Sequence, residues 1–385
     1  MGKWETVRLV DVCDFQGGAQ PPKEEWLDHP QSGYIRMLQI RDFTQERKGK
    51  EDFIRISSRN KTCDVDDILI ARYGASLGKI LCGLSGAYNV AIMKTIPDQS
   101  IISKKFLYEF LISDKFQKYI LSVSSRAAQA GFNKDDLKSL QLPIPPLDVQ
   151  KKIADLLDKD SALIELRKAQ LDKLDLLIKS QFVEMFGDPV TNTRSWPLER
   201  LGNLGELNRG VSKYRPRNDP SLLNGPYPLI QTGEVTKSSL YITDYNSTYS
   251  EIGLAQSRMW PAGTLCITIA ANIAQTAILS FNACFPDSVV GFIPREKTNP
   301  IYLHFWFEFF QKTLEEQAPQ VAQKNINLQI LNNLDVTVPP LSLQNEFAAF
   351  VQQVETQKKL LQNSLEKMEL NYKSLMQKCF RGEIF

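Results

Sequence analysis

Metal, triad and phosphate chemistry each need particular residues at particular spacings, and this chain offers few of them. It holds two histidines, His29 and His304, neither beside a cysteine and neither in H-E-x-x-H, so zinc or triad catalysis has little to build on. The six cysteines (Cys13, Cys63, Cys82, Cys266, Cys284, Cys379) are scattered and form no C-x-x-C pair. Gly74-Ala-Ser-Leu-Gly78-Lys79 is one residue short of a phosphate loop and lacks the Ser/Thr after the lysine. Asp/Asn-Pro-Pro-aromatic, which sets an amide or carboxylate beside a flipped base for amino-group methylation, is missing: the Pro-Pro pairs follow Ile144 and Val338. Asp98 and Asp287 follow prolines without an E-x-K partner at nuclease-like spacing. No catalytic residue and no metal site is expected, and His304, among aromatic residues on a helix, reads as structural.

The chain does carry the side chains of a nucleic-acid reader. Phosphates are met by Arg, Lys and small-residue backbone amides, base edges by Arg on guanine and Asn or Gln on adenine. In the first half the candidates are Gln16, Arg36, Gln39, Arg41, Arg72, Tyr73, Ser76, Lys79, Arg126, Gln129 and Lys134. In the second half, Asn208-Arg209-Gly-Val-Ser-Lys213-Tyr214-Arg215-Pro-Arg217 gathers four basic residues around an aromatic, which suits a phosphate clamp. Gln231, Asn272, Gln275, Gln323, Lys324 and Asn325 join it. The plainer reading of any one of these is a solvated residue on an exposed loop.

What must position these residues is a unit that occurs twice. Trp4-x4-Leu9 recurs as Trp196-x4-Leu201, and Gln39 as Gln231, a shift of 192 (196 less 4). Farther on, Gln129-x3-Asn133, Leu137 and Pro145-Pro-Leu-x2-Gln150 recur as Gln323-x3-Asn327, Leu331 and Pro339-Pro-Leu-x2-Gln344, a shift of 194 (344 less 150). Lys179-Ser180 and Phe186 answer Lys373-Ser374 and Phe380 at the same shift. A dozen matches in constant order argue for duplication of a domain followed by a helix.

Short β-branched runs such as Asp67–Tyr73 and Gly263–Ile269 read as buried strands, while Phe106–Ile120 and Tyr302–Leu314 carry apolar residues at helical spacing. Each globular part is therefore mixed α and β. After each Pro-Pro, which punctuates the junction, comes a stretch with an apolar seventh-residue period. In the first it is Leu157, Ile164, Leu171, Ile178 and Met185, with Leu174 between. In the second it is Val351, Lys358, Leu365, Tyr372 and Cys379, with Val354, Leu361, Met368 and Leu375 alternating. Gly187-Asp-Pro189 ends the first helix. About 40 residues at 1.5 Å each span roughly 60 Å, more than a globular core requires, so the helices are expected to pair as a spacer. Copies related by a pseudo-twofold axis make that pair antiparallel and suit a split, inverted DNA site.

Composition fits this reading. A chain of 385 residues with 43% hydrophobic and 23% charged residues should fold as at least two domains. The net charge of +2 excludes a histone-like coat and requires any basic DNA face to be local. Unpaired cysteines, the absence of a basic then apolar leader, and apolar stretches broken by Thr, Asn and Gln point to a cytoplasmic chain with no membrane span.

The order of domain, Pro-Pro-x3-Gln boundary and long helix, twice, resembles specificity subunits of type I restriction-modification systems along essentially the whole chain. The carriers are Ala71-Arg-Tyr-Gly74-x3-Gly78-Lys79, Gln129 to Asn133 before Leu137, Pro145-Pro-Leu-x2-Gln150 and Phe380-Arg-Gly-Glu383. The resemblance implies an α+β fold: two target recognition domains (1–146 and 189–340) separated by two long helices (147–188 and 341–385) forming an antiparallel coiled coil. It also implies a bipartite double-stranded DNA site and a chain without catalysis or cofactor. Two methyltransferase subunits using S-adenosylmethionine would dock on it, and restriction and translocation subunits would join for cleavage. One departure stands out: the second domain has Thr268-Ile-Ala270-x3-Ala274-Gln275 where the first has Arg, Gly and Lys. The competing readings are a DNA reader for another methylation-based defence system, a coiled-coil protein-interaction scaffold, and an enzyme with an unrecognised site.

Overall fold

The computed structural model describes residues 4–44, 50–124, 131–214, 216–269, 273–317 and 326–385, with side chains as far as 311 in the fifth segment. It divides into two compact units, Met1–Lys168 with Asn363–Phe385, and Ala169–Gln362. Among the described residues no helix is long and apolar enough to cross a membrane.

In the first unit β1 (Glu5–Arg8) pairs antiparallel with β10 (Gln141–Ile144), so the start of the globular head is tied to its end. The helical turn α1 (Leu9–Val12) follows, with Leu9 N donating to Leu140 O at 2.8 Å. One sheet has the order β2 (Cys13–Gly17), β9 (Ile92–Pro97), β6 (Leu69–Ala71), β7 (Ile80–Leu81). The other has β4 (Asp52–Arg55), β3 (Tyr34–Leu38), β8 (Gly86–Tyr88), β5 (Thr62–Cys63), with β3 and β8 parallel. The short helix α2 (Ile40–Thr44) leaves β3.

The second unit repeats this plan. Strand β11 (Leu198–Arg200) pairs with β21 (Asp335–Thr337), and after α6 (Leu201–Leu204) the first sheet runs β12 (Gly205–Arg209), β20 (Val289–Pro294), β17 (Leu265–Thr268), β18 (Thr276–Leu279). The added edge strand β14 (Tyr241–Ile242) extends it. The second sheet runs β15 (Ser247–Tyr249), β13 (Leu223–Leu229), β19 (Ala283–Cys284), β16 (Met259–Trp260), with β13 and β19 parallel. The helical turns α7 (Thr232–Lys237) and α8 (Glu251–Ala255) join its strands. Among the described residues the two heads therefore share one topology, strand for strand, apart from β14.

Each first sheet is covered by helix, and here the copies differ. The stretch read as one helix from Phe106 to Ile120 is two, α3 (Lys104–Ile112) and α4 (Asp114–Ser124). Ser113 between them is extended (φ −67°, ψ 152°), with its hydroxyl donating to Phe110 O at 2.5 Å, a side-chain bond that competes with helix continuation. Among the described residues the second head has a single helix, α9 (Pro300–Gln317), before the short α10 (Leu328–Asn332).

The long helices are α5 (Leu147–Phe186) and α11 (Leu341–Arg381). Each starts directly after its Pro-Pro, and α5 stops where Gly187 takes φ +78°. In the first unit Ile153 and Leu157 near the start of α5 share a core with Met376 and Cys379 near the end of α11; Ile164 is buried beyond them. Leu365, Met368 and Leu375 are half-buried, and Lys168 pairs with Glu369 at 3.7 Å. In the second unit Ile178, Phe182 and Phe186 near the end of α5 pack with Phe347, Val351 and Val354 near the start of α11. Leu174 and Met185 pack against this cluster, and Leu171 and Leu361 are half-buried. Both units show antiparallel pairing along the expected seam. Each buried Leu, Ile or Phe contributes about 1.5–3 kcal/mol. The one charged seam residue, Lys358, reaches Asp175 and Glu355, both at 2.6 Å, a buried polar position of the kind that fixes coiled-coil register.

Gln150 and Gln344 lock head to helix. Both are fully buried. Gln150 Oε1 accepts from Ser103 N at 2.9 Å, and its Nε2 donates to Ile101 O and Pro145 O at 2.8 and 2.9 Å. Gln344 does the same to Asn299 N, Lys297 O and Pro339 O at 2.9, 3.1 and 2.8 Å. The recurring Pro-Pro-x3-Gln is thus a bracket, three hydrogen bonds deep, between the first turn of the arm and the entry to the head's helix.

Candidate nucleic-acid interface

In the first head the loop from β6 to β7 is a closed ring. Gly78 N donates to Ala71 O and Ala71 N to Lys79 O, both at 2.9 Å, and Gly74 and Gly78 have φ of +70° and +78°, which glycine adopts without strain. Arg72 holds this loop. Its Nε donates to Phe132 O at 3.0 Å and its Nη1 to Val90 O at 3.2 Å, and its guanidinium lies 5.0 Å from the Tyr73 ring centre. Tyr73 bridges to Gly131, where any side chain would strike its ring. Gln16 Oε1 accepts from the Tyr88 hydroxyl at 3.1 Å, and Lys134 pairs with Asp14. Arg72 and Tyr73 thus touch directly, while Gln16 and Lys134 are both held on β2, Gln16 as one of its residues and Lys134 through Asp14. Ser76 and Lys79 sit on the same ring, Lys79 exposed and free of ion pairs among the described residues.

Beside it lies a second cluster. Leu38 is opposite Tyr88 in the parallel pair, and Asn89 N donates to Leu38 O at 3.2 Å, so Gln39 and Asn89 leave the sheet together. Gln39 Nε2 donates to Asp52 Oδ2 at 2.7 Å, and Arg41 reaches the same oxygen at 2.5 Å. Arg36 contacts Asp42 at 3.5 Å and Glu51 at 3.1 Å. Three carboxylates neutralise the two arginines, so this cluster is poor at attracting phosphate. It offers both donors and acceptors to base edges, including a carboxylate for a cytosine or adenine amino group. The sequence reading chose the cationic side of this cluster and missed Asp42, Glu51 and Asp52, whose pairing is visible only once β4 lies against β3.

The second head builds the equivalent ring differently. Ala274 N donates to Thr268 O and Thr268 N to Gln275 O, both at 2.9 Å. Where Arg72 N meets Ala91 O at 2.8 Å, Ile269 N meets Ser288 O at 3.2 Å, so Ile269 stands in Arg72's place. It is buried with Ile273 and Ile326. The ring that one head fastens with a guanidinium, the other fastens with an apolar plug. A glutamine latches both rings: Gln117 Nε2 donates to Gly78 O at 2.9 Å and Gln311 Nε2 to Ile273 O at 3.2 Å. Their spacing of 194 (311 less 117) was available in the repeat and went unread.

The second head also carries exposed cations. The loop after β12 is pinned by Gln256, whose Oε1 accepts from Lys213 N and Tyr214 N at 2.6 and 3.0 Å. Arg209 and Lys213 are exposed and make no ion pair among the described residues, and Tyr214 is also exposed. Arg217 pairs with Asp287 at 2.5 Å, and Asn208 Nδ2 donates to Glu206 at 2.7 Å. Gln231 is exposed at the start of α7, its N–H donating to Glu234 at 3.0 Å, much as Gln39 N donates to Asp42 at 2.6 Å. Gln275 is half-buried, its N–H donating to Thr268 Oγ1 at 3.1 Å. Arg126, Gln129, Arg215, Asn272, Gln323, Lys324 and Asn325 lie outside the described residues.

His304 and two of the thiols lie in packed surroundings. His304 Nδ1 lies 2.9 Å from Thr276 Oγ1, and burial pulls the imidazole down to about 4, so it is neutral at physiological pH. Burial pushes the thiols of Cys63 and Cys379 up to about 11, the reverse of an activated nucleophile.

Known proteins give this arrangement its relatives. The family described as "Type I restriction modification DNA specificity domain" matches residues 1–176 and again 194–370. The chain is similar to the type I restriction enzyme MjaVIII specificity subunit of Methanocaldococcus jannaschii, with 23% identity over 99% of this chain and 93% of that one. It is also similar to the EcoBI specificity subunit of Escherichia coli, with 22% identity over 83% and 74%. A chain solved in work on complex assembly and conformational transition of the type I R-M system superposes with a TM-score of 0.64 at 18% identity, covering 100% of this chain and 98% of that one, which speaks for the fold. With the family matched once to each copy of the repeat, the chain belongs to the type I restriction-modification DNA specificity family.

Proposed function

We propose that this chain reads a bipartite double-stranded DNA site, one part with each head, and performs no chemistry of its own. The observation that carries the reading is one topology occurring twice with different residues on equivalent loops. Arg72 is answered by Ile269, and Gln39 with its Asp52 partner by Gln231 beside Glu234. Such a pair of scaffolds suits two different half-sites. The paired arms set the unread spacer.

Methylation then falls to partner subunits. Two methyltransferase subunits, each with S-adenosylmethionine, dock on this scaffold in the cytoplasm, and restriction subunits join them. Leucines exposed on the arms support a docking role. In the first unit Leu163, Leu166 and Leu370 are 53%, 66% and 65% exposed, and in the second Leu176 and Leu360 are 62% and 65% exposed. Contiguous apolar surface on an otherwise polar helix is what a docking partner would cover.

Methylation-sensitive sequencing of the host genome tests the reading. Deleting this chain should erase adenine methylation at one split motif, and exchanging residues 189–340 for those of a relative should change one half of that motif only. A methylome unaltered by deletion would reject the proposal.

A further inference from the structure

The first unit contains a groove of about 490 Å³ between the start of α4 and the end of α11, floored by Phe110, Met376 and Phe380. Its rim carries Lys115, Lys118, Lys373 and Arg381; Lys118 pairs with Asp114 at 3.7 Å and Arg381 with Glu383 at 3.8 Å, while Lys115 and Lys373 have no ion pair among the described residues. The second unit shows what belongs there. Phe106 packs on Phe380 at 5.2 Å as Tyr302 packs on Phe186 at 4.8 Å, and Phe110 meets Phe116 as Trp306 meets Phe310. With Gln117 matching Gln311 as ring latch, Lys115 corresponds to Phe309 and Met376 to Phe182. In the second unit Phe309 stacks on Phe182, 5.0 Å between centres at 21°, and closes the site. In the first unit the break at Ser113 and the lysine at position 115 leave it open.

We propose that this groove receives an aromatic side chain of a partner polypeptide, carried in an acidic segment. The aromatic ring takes the place that Phe309 fills in the other copy, and the flanking carboxylates meet the four rim cations. A cavity of this size accepts a Phe or Trp side chain with its neighbours. The inference does not depend on which bases the heads read.

The test is selection of a random peptide library displayed on phage against the full chain, followed by titration of the selected peptide. Enrichment of sequences with one aromatic residue flanked by Asp or Glu is expected. Lys115→Phe, which installs the second unit's own plug, should weaken the selected peptide at least about tenfold while leaving affinity for the DNA site unchanged. Lys373→Glu with Arg381→Glu should turn the enriched flanks from acidic to basic, and this covers the case in which Lys115→Phe fails to fold. The proposal is overturned by selection without a consensus, by a consensus lacking the aromatic, or by equal binding to wild type and Lys115→Phe. It is also overturned if the chain alone self-associates in sedimentation and Lys115→Phe abolishes this, since the occupant would then be a second copy.

Discussion

The hydroxyl of Tyr372, on the last turns of the second arm, donates to the carboxylate of Glu109 on α3 at 3.0 Å, across 263 residues of sequence. Glu109 is 2% exposed, and burial pushes its carboxyl up to about 7, with Asp158 adding to the rise and Lys105 and the Tyr372 hydroxyl opposing it. Between about pH 4.5 and 7 the folded chain keeps a proton that the unfolded chain has released. Glu109's contribution to stability therefore falls as pH rises through that window, opposite in sign to that of His304, whose lowered imidazole favours the fold more as pH rises from about 4 to 6.5. Glu109→Gln should raise stability at pH 8 by about 1–3 kcal/mol, with little effect at pH 5. Urea unfolding at the two pH values checks this, and an equal effect at both would refute it.

Gly78 and Ala274 close equivalent rings, and Ala274 does so at φ +59°, a conformation that disfavours residues with a Cβ by roughly 1–2 kcal/mol. Glycine recovers most of that but loses more freedom on folding and gives up a buried methyl, so Ala274→Gly should gain the second head less than about 0.5 kcal/mol. The reverse change, Gly78→Ala, meets both the strain and Gln117 Oε1 at 3.1 Å from its new Cβ. It should destabilise by more than the first change gains. Paired thermal melts of the two variants decide the matter.

Replacing either bracket glutamine by leucine removes one donor pair and one acceptor and leaves three backbone groups without that partner, one of them in a buried bond and two half-buried. A stranded buried group costs about 1–3 kcal/mol and a half-buried one less, so Gln150→Leu and Gln344→Leu should each cost at least about 2 kcal/mol in chemical denaturation. Glutamate at either position should be no better, since it cannot donate twice. A loss under about 1 kcal/mol would show that the backbone finds other partners.

How much of this was legible in the sequence follows from which interactions are local. The arms were, because a seventh-residue period from Leu157 to Met185 is a property of one helix, and the Pro-Pro and Gly187 punctuation acts within a few residues. The duplication was, because it needs only comparison of the chain with itself. The break at Ser113 was not: apolar spacing continues through it, and the serine's bond to Phe110 O is decided by the turn itself. Nor were the carboxylate partners of Arg36, Gln39 and Arg41, which depend on strand register between residues 34–38 and 52–55. Residue type identified Arg72 as a DNA candidate; only the fold reveals that its guanidinium spans two backbone segments.

That difference in pairing sorts the DNA candidates by the experiment each should answer. Arg209 and Lys213 are exposed cations without ion pairs among the described residues, so a phosphate can take them without displacing a carboxylate. Each such contact releases condensed counterions, and Arg209→Ala or Lys213→Ala should weaken binding to every duplex and reduce the slope of log affinity against log salt by about 0.9. Arg41 must first leave Asp52, so Arg41→Ala should reduce the slope by clearly less. Gln39, an amide poised beside that carboxylate, should behave as a base reader: Gln39→Ala should cost about 1–3 kcal/mol at one base pair and leave the salt slope alone. Filter-binding titrations over a salt series, on the cognate site and its single-base variants, separate the two behaviours. An unchanged slope for Arg209→Ala and Lys213→Ala would remove them from the phosphate contacts, and uniform weakening by Gln39→Ala would make Gln39 a positioning residue for the Asp52 cluster.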